Sequence, residues 1–120
     1  MQLVEKIHGV KVDIENIDVN DPGVYKVIND GYNTGIFQFE SDIFASTVQK
    51  IKPKNINEIS DITSLLRPGP ISMGMPDQYA EAKSTGKKYT YNLQDRKLIE
   101  KVWEICSTSY GLLVYQEQVK

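Results

Sequence analysis

The chain has 120 residues, 40% hydrophobic and 25% charged, with a formal net charge of -2 and one cysteine. That is enough for one modest core, so the chain reads as a single domain or a piece of one. The charge excludes a global basic field for nucleic acid, the lone Cys106 excludes a disulfide framework or cysteine metal cluster, and no apolar run nears the roughly 20 residues of a membrane span.

The N-terminus, MQLVEKIHGVKVD, carries acids and lacks the long apolar stretch of a signal peptide, which points to a cytoplasmic protein. LVEKIHG predicts a short helix stopped by Gly9, and VKVDI alternates apolar Val10, Val12 and Ile14 with Lys11 and Asp13 as a weak strand signal. In NDPGVYKVIND, Asp21 is a good N-cap, Pro22 a good first helical residue and Gly31 a stop. TGIFQFES is a β-capable run ending at Ser41, the expected cap of a helix whose Phe44, Val48 and Ile51 share one face before Pro53.

Asn55 and Glu58 then have capping-box spacing, and Ile56, Ile59, Ile62 and Leu65 follow at three-residue steps, predicting one narrow buried stripe. That helix stops at Arg67, where Pro68-Gly69-Pro70 predicts a stiff, sharply turned loop. MPDQYAEAKSTG reads as a helix between Pro76 and Gly86. NLQDRKLIEKVWEIC is the strongest helical pattern, with Leu98, Ile99, Val102, Trp103 and Cys106 on one apolar side. SYGLLVYQEQVK gives a turn, a short apolar run and the opening turn of a helix, which suggests a fragment of a longer chain. The expected class is mainly α, with about five short-to-medium helices and one or two short β-strands.

Chemistry-bearing residues have plain structural alternatives. Asp13, Glu15, Asp18 and Asp21 could hold Mg²⁺, yet alternation puts Asp13 and Glu15 on a solvated edge, and Asp21 already caps a helix. STGKKY lacks a phosphate-loop pattern, because Glu81 and Lys88 stand where glycine and Ser or Thr are required, so Lys87 and Lys88 read as a basic loop tip. His8 has no nearby nucleophile. Gln38 and Glu40 alternate with Phe37 and Phe39, as an edge strand would or as a presented amide and carboxylate would. In YQEQ, Tyr115, Gln116 and Gln118 could meet an anion at a helix N-terminus or simply start an exposed helix. Arg67 closes a helix or is held out for an anion.

TGIFQFES (Thr34 to Ser41), LLRPGP (Leu65 to Pro70) and SYGLLVYQEQ (Ser109 to Gln118), in this order, resemble the motifs of the C-family replicative polymerases, the DNA polymerase III alpha subunits of bacteria and their phages. VDIENIDVNDPGVYKVINDG also resembles the family's lead-in to the first motif. Ser109 stands where the family usually has Thr, and Lys120 where it usually has an apolar residue.

The resemblance implies that residues 1–120 belong to the fingers, with 1–33 a lead-in from the palm side, and that the metal-binding palm acids lie outside this chain. It implies a DNA-directed DNA polymerase (a nucleotidyltransferase) that uses Mg²⁺ in the intact enzyme, an isolated chain that is inactive, and the partners dNTP, primer–template DNA, the rest of the alpha chain and replisome subunits. Arg67 would then hold the triphosphate, with Tyr115, Gln116 and Gln118 around the incoming nucleotide. Gln38, Glu40, Ser41, Pro68, Gly69, Pro70 and Glu117 would brace these motifs. The competing expectation is a non-catalytic helical protein-interaction module with no nucleotide site.

Overall fold

The computed structural model describes residues 2–120, and among these the chain forms seven α-helices and no β-strand. They are α1 (Gln2–His8), α2 (Pro22–Asn29), α3 (Asp42–Ile51), α4 (Ile56–Leu65), α5 (Pro68–Ser72), α6 (Met75–Thr85) and α7 (Arg96–Cys106). Short side-chain caps set most of the starts. Asp21 accepts from the Gly23 amide at 2.8 Å, Ser41 from Phe44 at 3.3 Å, Asn55 from Glu58 at 3.0 Å and Asp95 from Lys97 at 2.8 Å.

Both expected strands are corrected. In VKVDI, the Asp13 carboxylate takes the Glu15 amide at 3.1 Å and turns the chain into a short 3-10 helix at Ile14–Asn16. Without a partner strand, that local bond wins over extended backbone. TGIFQFES is a chain of turns, because Gly35 (φ 83°) and Gln38 (φ 67°) leave the extended region. Alternation fails with it: Phe39 is buried while Phe37 is 85% exposed.

The Pro-Gly-Pro break is also different from the expected loop. Pro68 opens α5 at its first turn, where the missing amide hydrogens of Pro68 and Pro70 would have had no intrahelical partner anyway. The residue before a proline is pushed to extended backbone, and Arg67 has φ -98° and ψ 153°. The whole break between α4 and α5 is therefore Leu66 and Arg67.

The core gathers Ile28 of α2, Phe39 of the turns before α3, Phe44, Val48 and Ile51 of α3, Ile62 and Leu65 of α4, Met75 and Tyr79 of α6, and Leu112. Each such side chain contributes about 1.5–3 kcal/mol on burial. The α4 stripe inferred from Ile56 to Leu65 is wrong in its first half: Ile56 is exposed, and the buried face is Glu58, Asp61, Ile62 and Leu65. Three-residue steps fall short of a 3.6-residue turn by about 60° each, so Ile56 ends up opposite Leu65. Two acids occupy the space it vacates.

The apolar side of α7 is a further correction. Only Cys106 is buried there, Leu98 and Ile105 are exposed, and Trp103 is half-buried beneath Gly111 with the Lys88 ammonium 4.8 Å from its ring. Ile99 and Val102 on the same side are half-buried. Residues 2–24 are all exposed, and α1 carries no buried side chain.

Candidate nucleotide-binding site

The middle of α4 carries a polar network that reaches across the fold. Glu58 Oε1 accepts from the Tyr110 hydroxyl at 2.7 Å, and Oε2 accepts from Lys83 Nζ at 2.8 Å and from the Lys54 amide at 2.7 Å. Lys83 also donates to the Lys52 carbonyl at 2.8 Å. Asp61 Oδ2 accepts from Tyr79 at 2.6 Å and Oδ1 from Tyr115 at 2.5 Å, with Ser60 Oγ 3.1 Å from the same Tyr115 hydroxyl.

Burial pushes the Glu58 carboxyl up, but its bonds from Lys83, Tyr110 and Lys54 outweigh that and hold its pKa below the usual 4.5. Burial first, and then the carboxylate each one bonds, push the tyrosines up: Tyr79 and Tyr115 beside Asp61, Tyr110 beside Glu58. All three phenols are donors at neutral pH.

The C-terminal segment is held to this network by its own side chains. Gln118 Oε1 accepts from the amides of Val114 (2.7 Å) and Tyr115 (2.9 Å), while its Nε2 donates to Ser109 Oγ at 2.7 Å. Ser109 in turn donates to the Leu112 carbonyl at 2.7 Å. Leu113 donates its amide to the Tyr91 hydroxyl at 2.6 Å. Gly111 sits at φ +87°, and a Cβ there would lie 2.8 Å from the Tyr89 carbonyl oxygen and 2.9 Å from Trp103, so only glycine fits. The Ser-Tyr-Gly turn is thus a packing requirement.

Two open clefts lie along α4. One, of about 440 Å³, is lined by the polar side chains Gln38, Ser41, Thr63 and Arg67 and by apolar neighbours that include Phe44 and Ile71. The other, of about 380 Å³, is lined by Asn57, Ser60, Asp61, Thr108 and Tyr115. No residue lines both. Ser60 and Asp61 lie in the middle of α4, whereas Arg67 lies two residues past its end. Arg67 is exposed, and among the described residues its guanidinium makes no hydrogen bond or ion pair.

The sequence-predicted residues therefore separate. Gln38 and Ser41 join Arg67, although the Ser41 hydroxyl is spent on capping α3. Glu40 accepts from the Gly35 amide at 2.7 Å and steadies the turns. Pro68, Gly69 and Pro70 build α5, with Pro68 and Gly69 exposed and Pro70 half-buried. Tyr115 lines the other cleft, Gln116 and Glu117 are exposed, and Gln118 is an internal brace. YQEQ forms a 3-10 turn at Gln116–Gln118.

Sequence reasoning missed Thr63, Ser60, Asn57 and Asp61. Asn57, Ser60 and Ser64 recur at three- and four-residue steps, a polar stripe that was open to reading. Three of the four acids of residues 13–21 accept backbone amides, Asp13 and Asp21 as above and Asp18 from Asn20 at 2.9 Å, while Glu15 is exposed. Among the described residues, no group of three or more His, Cys, Asp or Glu is arranged to hold a metal ion.

A family model described as the bacterial DNA polymerase III alpha subunit finger domain matches residues 1–120, the whole chain. The chain belongs to this finger-domain family. Among curated relatives, the DNA polymerase III subunit alpha of Aquifex aeolicus (strain VF5) is 33% identical over 118 residues, covering 98% of this chain and 10% of the relative. The DNA polymerase III subunit alpha of Campylobacter jejuni is 39% identical over 119 residues, covering 99% of this chain and 9% of the relative, and that of Helicobacter pylori (strain J99) is 34% identical over the same length. The finger-domain chain thus spans about a tenth of the length of the curated relatives it matches. All three sequence motifs fall within this match, and the finger domain seen here is mainly helical, with no helix among the described residues long and apolar enough to cross a membrane.

Proposed function

We propose that this finger domain serves a cytoplasmic, template-directed DNA polymerase and binds the incoming dNTP, with the triphosphate in the Arg67 cleft and the sugar and base toward Tyr115. The observation that carries the reading is the unpartnered, exposed Arg67 at the rim of an open cleft shared with Gln38 and Thr63. A planar guanidinium fork can hold two phosphate oxygens at once, and each charge-assisted bond of this kind contributes about 1.5–3 kcal/mol. The backbone supports such a role, because Pro68 restricts Arg67 and α5 follows at once. Gln116, exposed beside Tyr115, is available to the nucleotide, whereas Gln118 acts through the backbone it braces.

Residues 1–33 form the lead-in from the palm side, and primer–template DNA, the rest of the alpha chain and replisome subunits complete the assembly. The acids of this chain do not fit a metal: Asp13, Asp18 and Asp21 take backbone amides, and Glu58 and Asp61 take hydroxyl and ammonium donors. The Mg²⁺ of the proposed reaction belongs to acids elsewhere in the intact enzyme, and this chain alone is inactive. The chain's own residues position and neutralise; they break no bond.

The test is steady-state nucleotide incorporation by the intact polymerase carrying Arg67→Ala. The KM for dNTP is expected to rise by about tenfold or more, or kcat to fall comparably, with Arg67→Lys in between. Unchanged kinetics in Arg67→Ala would remove the clamp from the mechanism.

A further inference from the structure

We infer that Asp61 is a positioning residue: it fixes the phenol of Tyr115 on the wall of the second cleft and thereby sets the affinity for the incoming nucleotide. This rests on the reading that Tyr115 faces the nucleotide.

The two oxygens of Asp61 have different tasks. Oδ2 accepts from Tyr79, which is fully buried and meets the Tyr110 ring edge-on at 5.0 Å. That bond ties the carboxylate to the core. Oδ1 accepts from Tyr115, which is only half-buried and lines the open cleft with Asn57 and Thr108. Asp61 itself is 3% exposed, so although it contributes to the cleft wall, both of its oxygens are taken up by tyrosine hydroxyls.

Tyr115 is consequently held at both ends, its amide by Gln118 Oε1 and its hydroxyl by Asp61 Oδ1, with the ring between them. A phenol that only filled space would need neither clamp, and Ser60 Oγ alone, 3.1 Å away, would satisfy the hydroxyl. A buried carboxylate costs several kcal/mol to desolvate, so Asp61 persists here because Tyr79 and Tyr115 both donate to it. The charge pattern agrees with the nucleotide's direction. The anionic triphosphate is assigned to the Arg67 end, past the last turn of α4, and the neutral sugar and base to Tyr115, beside the Asp61 carboxylate.

Single-nucleotide incorporation by the intact polymerase, with the apparent Kd for dNTP separated from the maximal rate, tests this. The variants are Tyr115→Phe, Asp61→Asn, the double variant, Tyr115→Ala and Tyr79→Phe, each also taken through a thermal melt. Tyr115→Phe is expected to raise the apparent Kd by about tenfold with little change in maximal rate. Asp61→Asn is expected to do the same, and the double variant to be no worse than either single one, the coupling of two groups acting as a unit. Tyr79→Phe is expected to lower the melting temperature and to raise the Kd clearly less than Asp61→Asn does, because the Asp61 Oδ1 bond to Tyr115 remains.

Wild-type affinity in Tyr115→Phe with a loss in Tyr115→Ala overturns the inference and leaves the nucleotide reading standing, since the ring then matters without its anchor. Wild-type affinity in Tyr115→Ala overturns both. Additive effects in the double variant, or a loss in Tyr79→Phe equal to that of Asp61→Asn, overturn positioning through Tyr115.

Discussion

Half-way along α4, Glu58 and Asp61 are buried with every carboxylate oxygen bonded, whereas Arg67, just past the last turn, is exposed and bonded to nothing among the described residues. Taking a carboxylate out of water costs several kcal/mol, so a buried one persists only where donors meet it. Here they come from α6, from the turn after α7 and from the C-terminal motif. Arg67 has kept its hydration and has no such cost to offset. One helix therefore uses charge in two ways: in its middle to join distant segments, and at its end to stay available.

The contrast is sharpest at Glu58. Glu58→Ala strands the Lys83 ammonium, 13% exposed in its side chain, and the Tyr110 hydroxyl. The expected loss is about 3–5 kcal/mol in denaturant unfolding. A loss below about 1 kcal/mol would mean that the network does not join the segments. The same group gives the protein an acid limb. Its folded pKa is depressed, so its contribution is fully present above the ordinary 4.5 and disappears as pH falls through the lower folded value. Thermal melts between neutral and acid pH should show that decline, and Glu58→Gln should flatten it.

Gly111→Ala tests the attachment from the other side. Its Cβ would press on the Tyr89 carbonyl and the Trp103 ring from a left-handed backbone, and about 1–3 kcal/mol of stability is expected to be lost. A neutral result in the melt would show that this turn yields easily. The smallest effect on stability belongs to Arg67→Ala, within about 0.5 kcal/mol of wild type by denaturant unfolding. A clear destabilisation would place Arg67 among the structural groups and end the contrast.

How far the sequence could be read depends on how far each interaction reaches. Gly9 and Gly86 as helix ends, and Asp21, Ser41 and Asn55 as helix starts, were legible because each acts within a few residues. The α4 stripe was misread because a three-residue step imitates a helical period over one turn and departs from it over three. The strand reading of TGIFQFES failed because alternation says nothing about whether another strand is there to pair with. The Arg67 part of the proposed site was open to proposal from the sequence as an odd arginine at a helix break, and Gln38 as an alternating amide. The Tyr115 part of the proposed site showed in the sequence only as a polar tyrosine, since its partner Asp61 lies 54 residues away.

From the sequence alone come the helical class, the helix caps, the break at Arg67 and the three motifs that mark the finger-domain family. Only the tertiary structure decided which face of α4 turned inward, that Gln118 braces the backbone, and that Arg67 and Tyr115 line separate clefts. The physical reason is one of range. Caps and turns are settled by neighbours a few residues away, whereas a carboxylate's place inside or outside is settled by donors that only the folded chain brings to it.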